Sequence, residues 1–353
     1  MVEALYMRIK HDIINQIQTG DLKPGDMIAT EKNLAERYGV SQITSKHALQ
    51  LLAAEGYVER LRGKGTFVKA IHPATDVEAN VAYKHTNQFH NTIALILPSM
   101  KTNIDQRLLD GLERYCREAE LNVLISISRE SSIEEKKAIE RFRESGVQGF
   151  IIFPVEQESY SDAILRLTLD RYPMVLIDRY LKEIKAYSVS SDNMGGVHTA
   201  ISKLLQLGHT QIAYISPEIT NTATDERAKG YEHAFIDVGM SIDKSLWCML
   251  SLQEIDAGFS EQKITQFLLE HPEITAIFTV NAYLAEIVKK VLAAAGRKDI
   301  VHSTFDDVDY VFSYIRQQEE KICQESVKLL LEQLEGVYEP RREYIEVMYI
   351  ENK

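Results

Sequence analysis

The sequence predicts an α/β protein in two parts: a small N-terminal head of three helices and a hairpin, and a large body of two lobes, each a doubly wound parallel sheet. Three observations carry this expectation. At 353 residues the chain exceeds the size at which one hydrophobic core stops growing, so more than one domain is expected. From Thr92 onward short apolar runs alternate with longer helical stretches, and this series occurs twice. Charge is also divided: residues 1–70 carry 10 Lys and Arg against 8 Asp and Glu, whereas the other 283 carry 30 against 44 within a formal net charge of -12. A mildly basic head on an acidic body confines any nucleic-acid contact to the head.

In the head, Leu5, Ile9, Ile13 and Ile17 recur every fourth residue, with Tyr6 and Ile14 between them, as on an amphipathic helix that Gly20 ends. The turn DLKPGD follows. Thr30 is placed to cap a short helix carrying Leu34, Ala35 and Tyr38, and Gly39 closes it. Ser41 is placed to cap a third helix running to about Glu55, which turns Ala48, Leu49 and Leu52 inward. Gln42, Thr44, Ser45, Lys46 and His47 then gather near its N-terminal end, where the recognition helix of a helix-turn-helix meets base edges and phosphates. Tyr57–Leu61 and Thr66–Val68 read as two strands around the tip Arg62-Gly63-Lys64-Gly65. A nucleotide phosphate loop needs the GxxxxGK[ST] spacing with a helix after it, and RGKGT has neither. A glycine tip carrying Arg62 and Lys64 instead suits a wing approaching a DNA groove.

Residues 71–91 mix Pro, Asn, His and Thr without periodicity, as a linker between residues 1–70 and the effector domain at 92–353. The body is then expected to run IALILP, a helix over about 104–119, LNVLISIS, a helix over 132–145, GFIIFP, a helix over 159–170, and PMVLID. The second series has a helix over 194–207, QIAYIS, a helix over 225–239, a strand near 246–250, a helix over 259–270, AIFTV, a helix over 282–295, and IVHSTF. Ligands of such sheets bind beyond the carboxyl ends of the strands. That rule selects Pro98 and Ser99, Phe153, Asp178 and Arg179, Asn281 and Asp306, with Arg227 near the start of a helix. Carboxylate, amide, guanidinium and aromatic groups together suit a polyhydroxylated ligand.

Other chemistries find little support. The three cysteines, Cys116, Cys248 and Cys323, are far apart and read as buried reduced thiols. The ten histidines lack H-x-x-x-H or Cys–His spacing, and no G-x-S-x-G or Walker loop occurs, so no metal, cofactor or catalytic site is expected. No signal-peptide core or membrane-spanning run is found, which leads to a cytoplasmic expectation.

The run GDLKPGDMIATEKNLAERYGVSQITSKHALQLLAAEGYVERLRGKGTFV resembles the winged-helix domain of the GntR family of bacterial repressors, over nearly all of residues 4–68. By that resemblance Lys32, Gln42, Thr44, Lys46, Arg62, Gly63 and Lys64 contact double-stranded operator DNA, and Ser41 at the start of the recognition helix is expected to join them. Three positions depart from the family pattern: Ala29 replaces a Pro, Gln42 a common Arg, and Lys46 stands where Arg is usual. VLIDR, SVSSDNMGGVHTAISKLLQLGHTQIAYIS, ERAKGYEHAF, TAIFTVNAYLA and FDD resemble the effector domain of the LacI family and its periplasmic sugar-binding relatives, over about residues 92–350. That resemblance implies ligand contacts at Asp178, Arg227, Asn281 and Asp306, to which the strand-end rule adds Ser99 and Phe153, and places Asp192 near the lobe crossover. Ala282 stands where an Asp is usual, and Gln317 matches a family Gln whose following Pro and later Gly are Gln318 and Cys323 here.

The combination is similar to the arabinose-repressor subgroup of Gram-positive bacteria. It implies a homodimeric repressor of carbohydrate-utilisation genes, released from its operator by a small sugar. The alternative is a DNA-binding regulator whose effector domain only dimerises or senses a non-sugar ligand. Gln pairs bidentately with adenine N6 and N7 where Arg favours guanine. Gln42→Arg is therefore expected to move one operator position from A towards G when each base pair is scanned by binding; unchanged preference at every position would remove Gln42 as a base reader.

Overall fold

The computed structural model describes residues 5–19, 21–40, 42–54, 57–61, 65–69, 91–155 and 161–352, in two compact units, Met1–Gln88 and Phe89–Lys353. The first unit carries helices α1 (Leu5–Gln18), α2 (Glu31–Tyr38) and α3 (Gln42–Ala54), then the antiparallel pair β1 (Val58–Leu61) and β2 (Gly65–Val68). Ile9 and Ile13 from α1, Leu34 from α2, Ala48, Leu49 and Leu52 from α3 and Val58 and Val68 from the hairpin form one buried core. Thr30 Oγ1 accepts from the Asn33 amide at 3.3 Å to start α2, and Gly39 ends it at φ +64°, a conformation glycine adopts without strain. The caps expected at Ser41 and Gly20 lie outside the described residues.

The second unit holds two six-stranded sheets. Lobe 1 is built from β3 (Thr92–Leu97), α4 (Asn103–Glu118), β4 (Asn122–Ile127), α5 (Ser132–Glu144), β5 (Gly149–Ile152), α6 (Asp162–Leu169), β6 (Met174–Ile177) and β7 (Ser188–Ser191). Lobe 2 follows as α7 (Asn193–Gln206), β8 (Ile212–Pro217), α8 (Thr222–Asp237), β9 (Trp247–Leu250), α9 (Leu252–Asp256), α10 (Ser260–Glu270), β10 (Ala276–Thr279), α11 (Ala282–Ala295), β11 (Val301–Phe305) and β12 (Ser313–Arg316). The chain then returns: α12 (Glu319–Leu334) packs on α4, and β13 (Arg342–Ile345) joins the lobe 1 sheet beside β7. Finally β14 (Met348–Glu351) pairs antiparallel with β12 in lobe 2. The strand orders are 4-3-5-6-7-13 and 9-8-10-11-12-14.

Burial on both faces explains the apolar strands. β3 sends Ile93, Leu95 and Leu97 into a core with α4 and α12, and Ala94 and Ile96 into another with α5 and α6. Cys116, Cys248 and Cys323 are buried free thiols. Among the described residues no helix is long and apolar enough to cross a membrane.

Two differences from the sequence reading have clear causes. Helix α8 begins at Thr222 rather than near Asp225, because the Asn221 side chain accepts from the Thr224 amide at 3.0 Å and supplies a cap in a stretch with no apolar period. Strand β7, SVSS, is wholly buried although three of its four residues are serine. It is the inner neighbour of β13, and its hydroxyls disguise it as a loop.

Three crossings join the lobes, at Asp192, at Gln317–Gln318 and at Glu346–Val347, and hydrogen bonds tie them together. The Asp192 amide donates to the Ile345 carbonyl at 2.8 Å, Gln318 Nε2 donates to the Glu346 carbonyl at 2.6 Å, and Ser191 Oγ donates to Gln317 Oε1 at 2.7 Å. Cys323, where the family pattern has glycine, is accommodated from the opposite side: a Cβ on Gly111 of α4 would stand 2.8 Å from its sulfur.

Helices α7 and α8 meet at Gly230, where a Cβ would stand 2.4 Å from the Met194 carbonyl oxygen and 2.9 Å from Val197 Cβ. The helix-propensity gain of Gly→Ala, about 1 kcal/mol, is smaller than the overpacking cost of about 1–3 kcal/mol, because backbone rather than a flexible side chain is in the way. Gly230→Ala is therefore expected to lower stability by about 1 kcal/mol in urea unfolding; a stabilised variant would mean that the helices separate freely.

Glu135 on α5 is buried and accepts the Val155 amide at 2.9 Å, tying α5 to the segment after β5. Burial pushes its carboxyl up to about 6, against the opposing pull of the Val155 N–H. An acid whose folded-state value is raised loses stability as pH climbs from its ordinary value near 4.5 through 6. Relative to Glu135→Gln, the parent should lose about 2 kcal/mol between pH 4.5 and 7.5 in paired urea titrations; a pH-independent difference would rule out burial as the cause.

Candidate functional site

In the head, the exposed end of α3 carries Gln42 and Lys46, and Lys32 is exposed in the first turn of α2. Thr44 is half-buried. Ser45 does not belong to this surface: it is fully buried and its hydroxyl donates to the Glu31 carbonyl at 2.6 Å and to that of Gln42 at 3.0 Å. The spacing of a recognition helix cannot distinguish such a serine, which locks α3 onto α2, from one facing outward. Near the tip of the hairpin Arg60 pairs with Glu31, fixing β1 against the start of α2. Ser41, Arg62, Gly63 and Lys64 lie outside the described residues, as does the side chain of His47.

In the body, the expected residues lie at the carboxyl ends of their strands. Asp178 follows β6 and Asp306 follows β11, and both adopt left-handed backbone, at φ +63° and +76°. Such conformations cost of order 1 kcal/mol or more outside glycine and concentrate at ligand sites. Asp306 is buried; its Oδ1 accepts from Gln317 Nε2 at 2.7 Å and its Oδ2 from the Ala282 amide at 3.3 Å. The carboxylate thus faces the first amide of α11, a favourable place for negative charge. Burial raises its pKa, while Arg227 opposes and Asp178 adds to that rise, so these three charged groups share one electrostatic neighbourhood.

Arg227 is held on all sides. Its Nε donates to Asn193 Oδ1 at 2.8 Å, its Nη1 to the Val280 carbonyl at 2.7 Å, and its guanidinium carbon lies 3.7 Å from the centre of the Phe305 ring. Asn193 faces both ways, for its Nδ2 donates to Glu226 Oε2 at 3.2 Å. Glu226 also accepts the Tyr180 hydroxyl at 2.5 Å, and burial raises its pKa although both hydrogen bonds pull it down. Arg227 thus forms no ion pair with its sequence neighbours Glu226 and Asp225. Asn193 stands between Arg227 and Glu226, and Asp225 pairs instead with Lys182 and Lys229, each at 2.9 Å.

The remaining candidates are less closely joined. Asn281 caps α11, its Oδ1 accepting from the Leu284 amide at 2.9 Å. Phe153 lies under the Arg179 guanidinium, with 4.9 Å between that carbon and the ring centre, and Arg179 also donates to the Pro154 carbonyl at 2.8 Å. Ser99 Oγ accepts from the Lys101 amide at 2.9 Å in the turn after β3. Sequence reasoning passed over Tyr180, Asn193 and Glu226. Only the adjacency of Glu226 to Arg227 hinted at them, because their roles arise where the two lobes meet.

Among the described residues no group of three or more His, Cys, Asp or Glu side chains is arranged to hold a metal ion. What the arrangement offers is a guanidinium and a carboxylate on lobe 2, Arg227 and Asp306, with Asp178 of lobe 1 in the same electrostatic neighbourhood. Between the lobes there is also a cavity of about 300 Å³, bounded by Glu135, Val155, Arg179 and Lys182 on one side and Thr220 and Thr222 on the other. It does not include Arg227 or Asp306.

Residues 5–68 match the family described as bacterial regulatory proteins, gntR family, and residues 90–330 match periplasmic binding proteins and sugar binding domain of LacI family. The arabinose metabolism transcriptional repressor of Geobacillus stearothermophilus is 23% identical over 345 residues, 94% of this chain and 91% of that protein. The arabinose metabolism transcriptional repressor of Halalkalibacterium halodurans is 27% identical over 245 residues, 69% of this chain and 63% of its own length. A solved complex of the transcriptional regulator CelR with cellobiose shares the fold, with a TM-score of 0.67 at 21% identity over 92% of this chain and 98% of that one. With a GntR-type head before it, the body from residue 90 makes this chain a member of the family of periplasmic binding proteins and LacI-type sugar-binding domains.

Proposed function

We propose that the protein is a ligand-responsive repressor of carbohydrate-utilisation genes, which binds operator DNA through its head and is released by a small sugar, of which arabinose is the first candidate. The observation that carries the reading is the buried Arg227, fixed by hydrogen bonds through Nε and Nη1 and sharing one electrostatic neighbourhood with Asp178 and Asp306. A guanidinium and carboxylates fixed in advance can bridge neighbouring sugar hydroxyls without reordering. Lys32, Gln42, Thr44 and Lys46 are the proposed contacts of the head with DNA, with Ser41, Arg62, Gly63 and Lys64 added by the family resemblance. Ser99, Phe153, Asp178, Arg227, Asn281 and Asp306 are the proposed contacts with the sugar.

The chain acts in the cytoplasm as a homodimer and not as an enzyme. Strand β4 supports the dimer: it is the edge of the lobe 1 sheet, reads NVLISI, and leaves Ile125 46% exposed. An apolar edge strand of this kind invites a second copy. A sugar moves the lobes only if it binds one of their arrangements more tightly than the other.

Fluorescence anisotropy of the full chain on DNA from upstream of its own gene, with arabinose and a panel of other pentoses, hexoses and sugar phosphates, tests the reading. The expected result is saturation at two chains per operator, release by one sugar, and an Arg227→Ala variant that binds DNA normally but is no longer released. Binding that no sugar affects would remove the sugar effector, saturation at one chain would remove the dimer, and loss of DNA affinity in sugar-free Arg227→Ala would give Arg227 a folding role.

A further inference from the structure

Lobe 2 holds a second cavity, of about 310 Å³, between α11 and the starts of β11 and β12. It lies at the opposite end of these strands from Asn281 and Asp306. Leu292, Ile300, Val311 and Phe312 give it apolar walls, and among them lies the imidazole of His302, 7% exposed.

A chain of hydrogen bonds fixes the tautomer of that imidazole. Thr304 Oγ1 stands 2.9 Å from the Phe305 carbonyl and 3.1 Å from that of Thr279, so its proton goes to a carbonyl. Thr279 Oγ1 in turn donates to Thr304 Oγ1 at 2.7 Å. With its proton committed, Thr279 can only accept from His302, whose Nε2 is 3.1 Å away. Nε2 therefore carries the ring hydrogen. Burial holds the imidazole pKa down to about 3, so the ring is neutral and Nδ1 keeps a lone pair. Among the described residues the ring's one hydrogen bond is that to Thr279, which leaves Nδ1 a buried acceptor without a donor. Such a group is uncommon, and here it borders a cavity large enough for a ligand.

The lining restricts what that ligand is. Lys289 is already shared between the ring of Tyr310, at 3.8 Å, and Glu286, at 3.6 Å, so it leaves little to select an anion. What remains is an apolar space with one acceptor. A flat apolar ring carrying an O–H or N–H satisfies both, and about 310 Å³ accommodates one ring or two fused rings.

The same chain leads from the cavity to the cleft. Thr304 Oγ1 also lies 3.4 Å from the Asn281 carbonyl, and Asn281 caps α11, whose first amide faces Asp306. We propose that this cavity is a second small-molecule site, for a phenol or an indole that donates to His302 Nδ1, and that its occupancy reaches the start of α11 through Thr279 and Thr304. A donor at Nδ1 polarises the imidazole and strengthens Nε2–H, and successive hydrogen bonds in a chain strengthen one another. The site is separate from the proposed sugar contacts and does not depend on what they hold.

The test is isothermal titration calorimetry of the full chain with phenol against anisole and with indole against 1-methylindole, because methylation removes the donor and keeps the ring. At least one of phenol and indole is expected to bind at one per chain, about fivefold or more tightly than its methylated partner, as for one buried hydrogen bond. His302→Phe, which keeps a ring and removes the acceptor, should erase that preference. Leu292→Trp, at a half-buried position, fills the cavity and should abolish binding; it carries the test if His302→Phe does not fold by circular dichroism. Hydrogen exchange at the amides of residues 282–285 should slow when the ring is bound, and Thr304→Val should cancel the slowing while affinity is retained. Binding of none of these rings, equal binding of methylated and unmethylated rings, or binding that Leu292→Trp leaves intact would overturn the site. Unchanged exchange at 282–285 on binding would overturn the path to α11.

Discussion

The body of this protein depends on three passages of the chain between its lobes. A single linker would leave two lobes free to tumble, whereas three strands passing side by side restrict them to rotation about one axis. The hydrogen bonds among Ser191, Asp192, Gln317, Gln318, Ile345 and Glu346 hold those passages in register. Gln317 is central because its amide works at both ends: the oxygen receives Ser191 from the hinge and the nitrogen donates to Asp306 in the cleft. A ligand that changes what Asp306 binds therefore acts on a group one hydrogen bond from the hinge. A ligand shifts such an equilibrium only where its contacts differ between the two arrangements.

The cleft handles its buried charges by pairing each with a fixed dipole or ring. Arg227 would cost several kcal/mol to desolvate alone, roughly the penalty of a buried ion. Here a carbonyl, an amide oxygen and the face of Phe305 replace its water. Asn193 presents its oxygen to the cation and its nitrogen to Glu226, which separates two opposite charges that are adjacent in sequence. Tyr180 reaches across from lobe 1 to the same Glu226, and its backbone amide donates to Thr222 at 3.1 Å. The two lobes are thus in contact through polar groups of the chain itself, and a ligand competes with or adds to those contacts.

Much of this architecture was legible in the sequence, and the failures are instructive. The apolar strands β3, β5, β6, β8 and β10 declare themselves because burial on both faces leaves no polar position to confuse the pattern. Strand β7 did not, because three of its four residues are serine and their burial comes from the strands on either side, a circumstance no local window contains. Asp178 and Asp306 stand at the carboxyl ends of their strands as the alternation of elements predicts, but their left-handed backbone is not announced by sequence alone. Ser45 was misread because one helix face looks outward until a second helix covers it. Asn193, Tyr180 and Glu226 derive their roles from residues 33 to 46 positions away, and such pairings follow from topology rather than from spacing.

The strand orders impose a condition on how the protein is made. Each sheet receives its outermost member from residues 342–351, after nearly all the rest of the body has been synthesised. Until then lobe 1 exposes the flank of β7 and lobe 2 exposes the flank of β12. Neither lobe can close behind the ribosome as an independent unit in the way sequential domains do. The last segment of the body therefore acts as a clasp on both sheets at once, and the two lobes must complete their folding together.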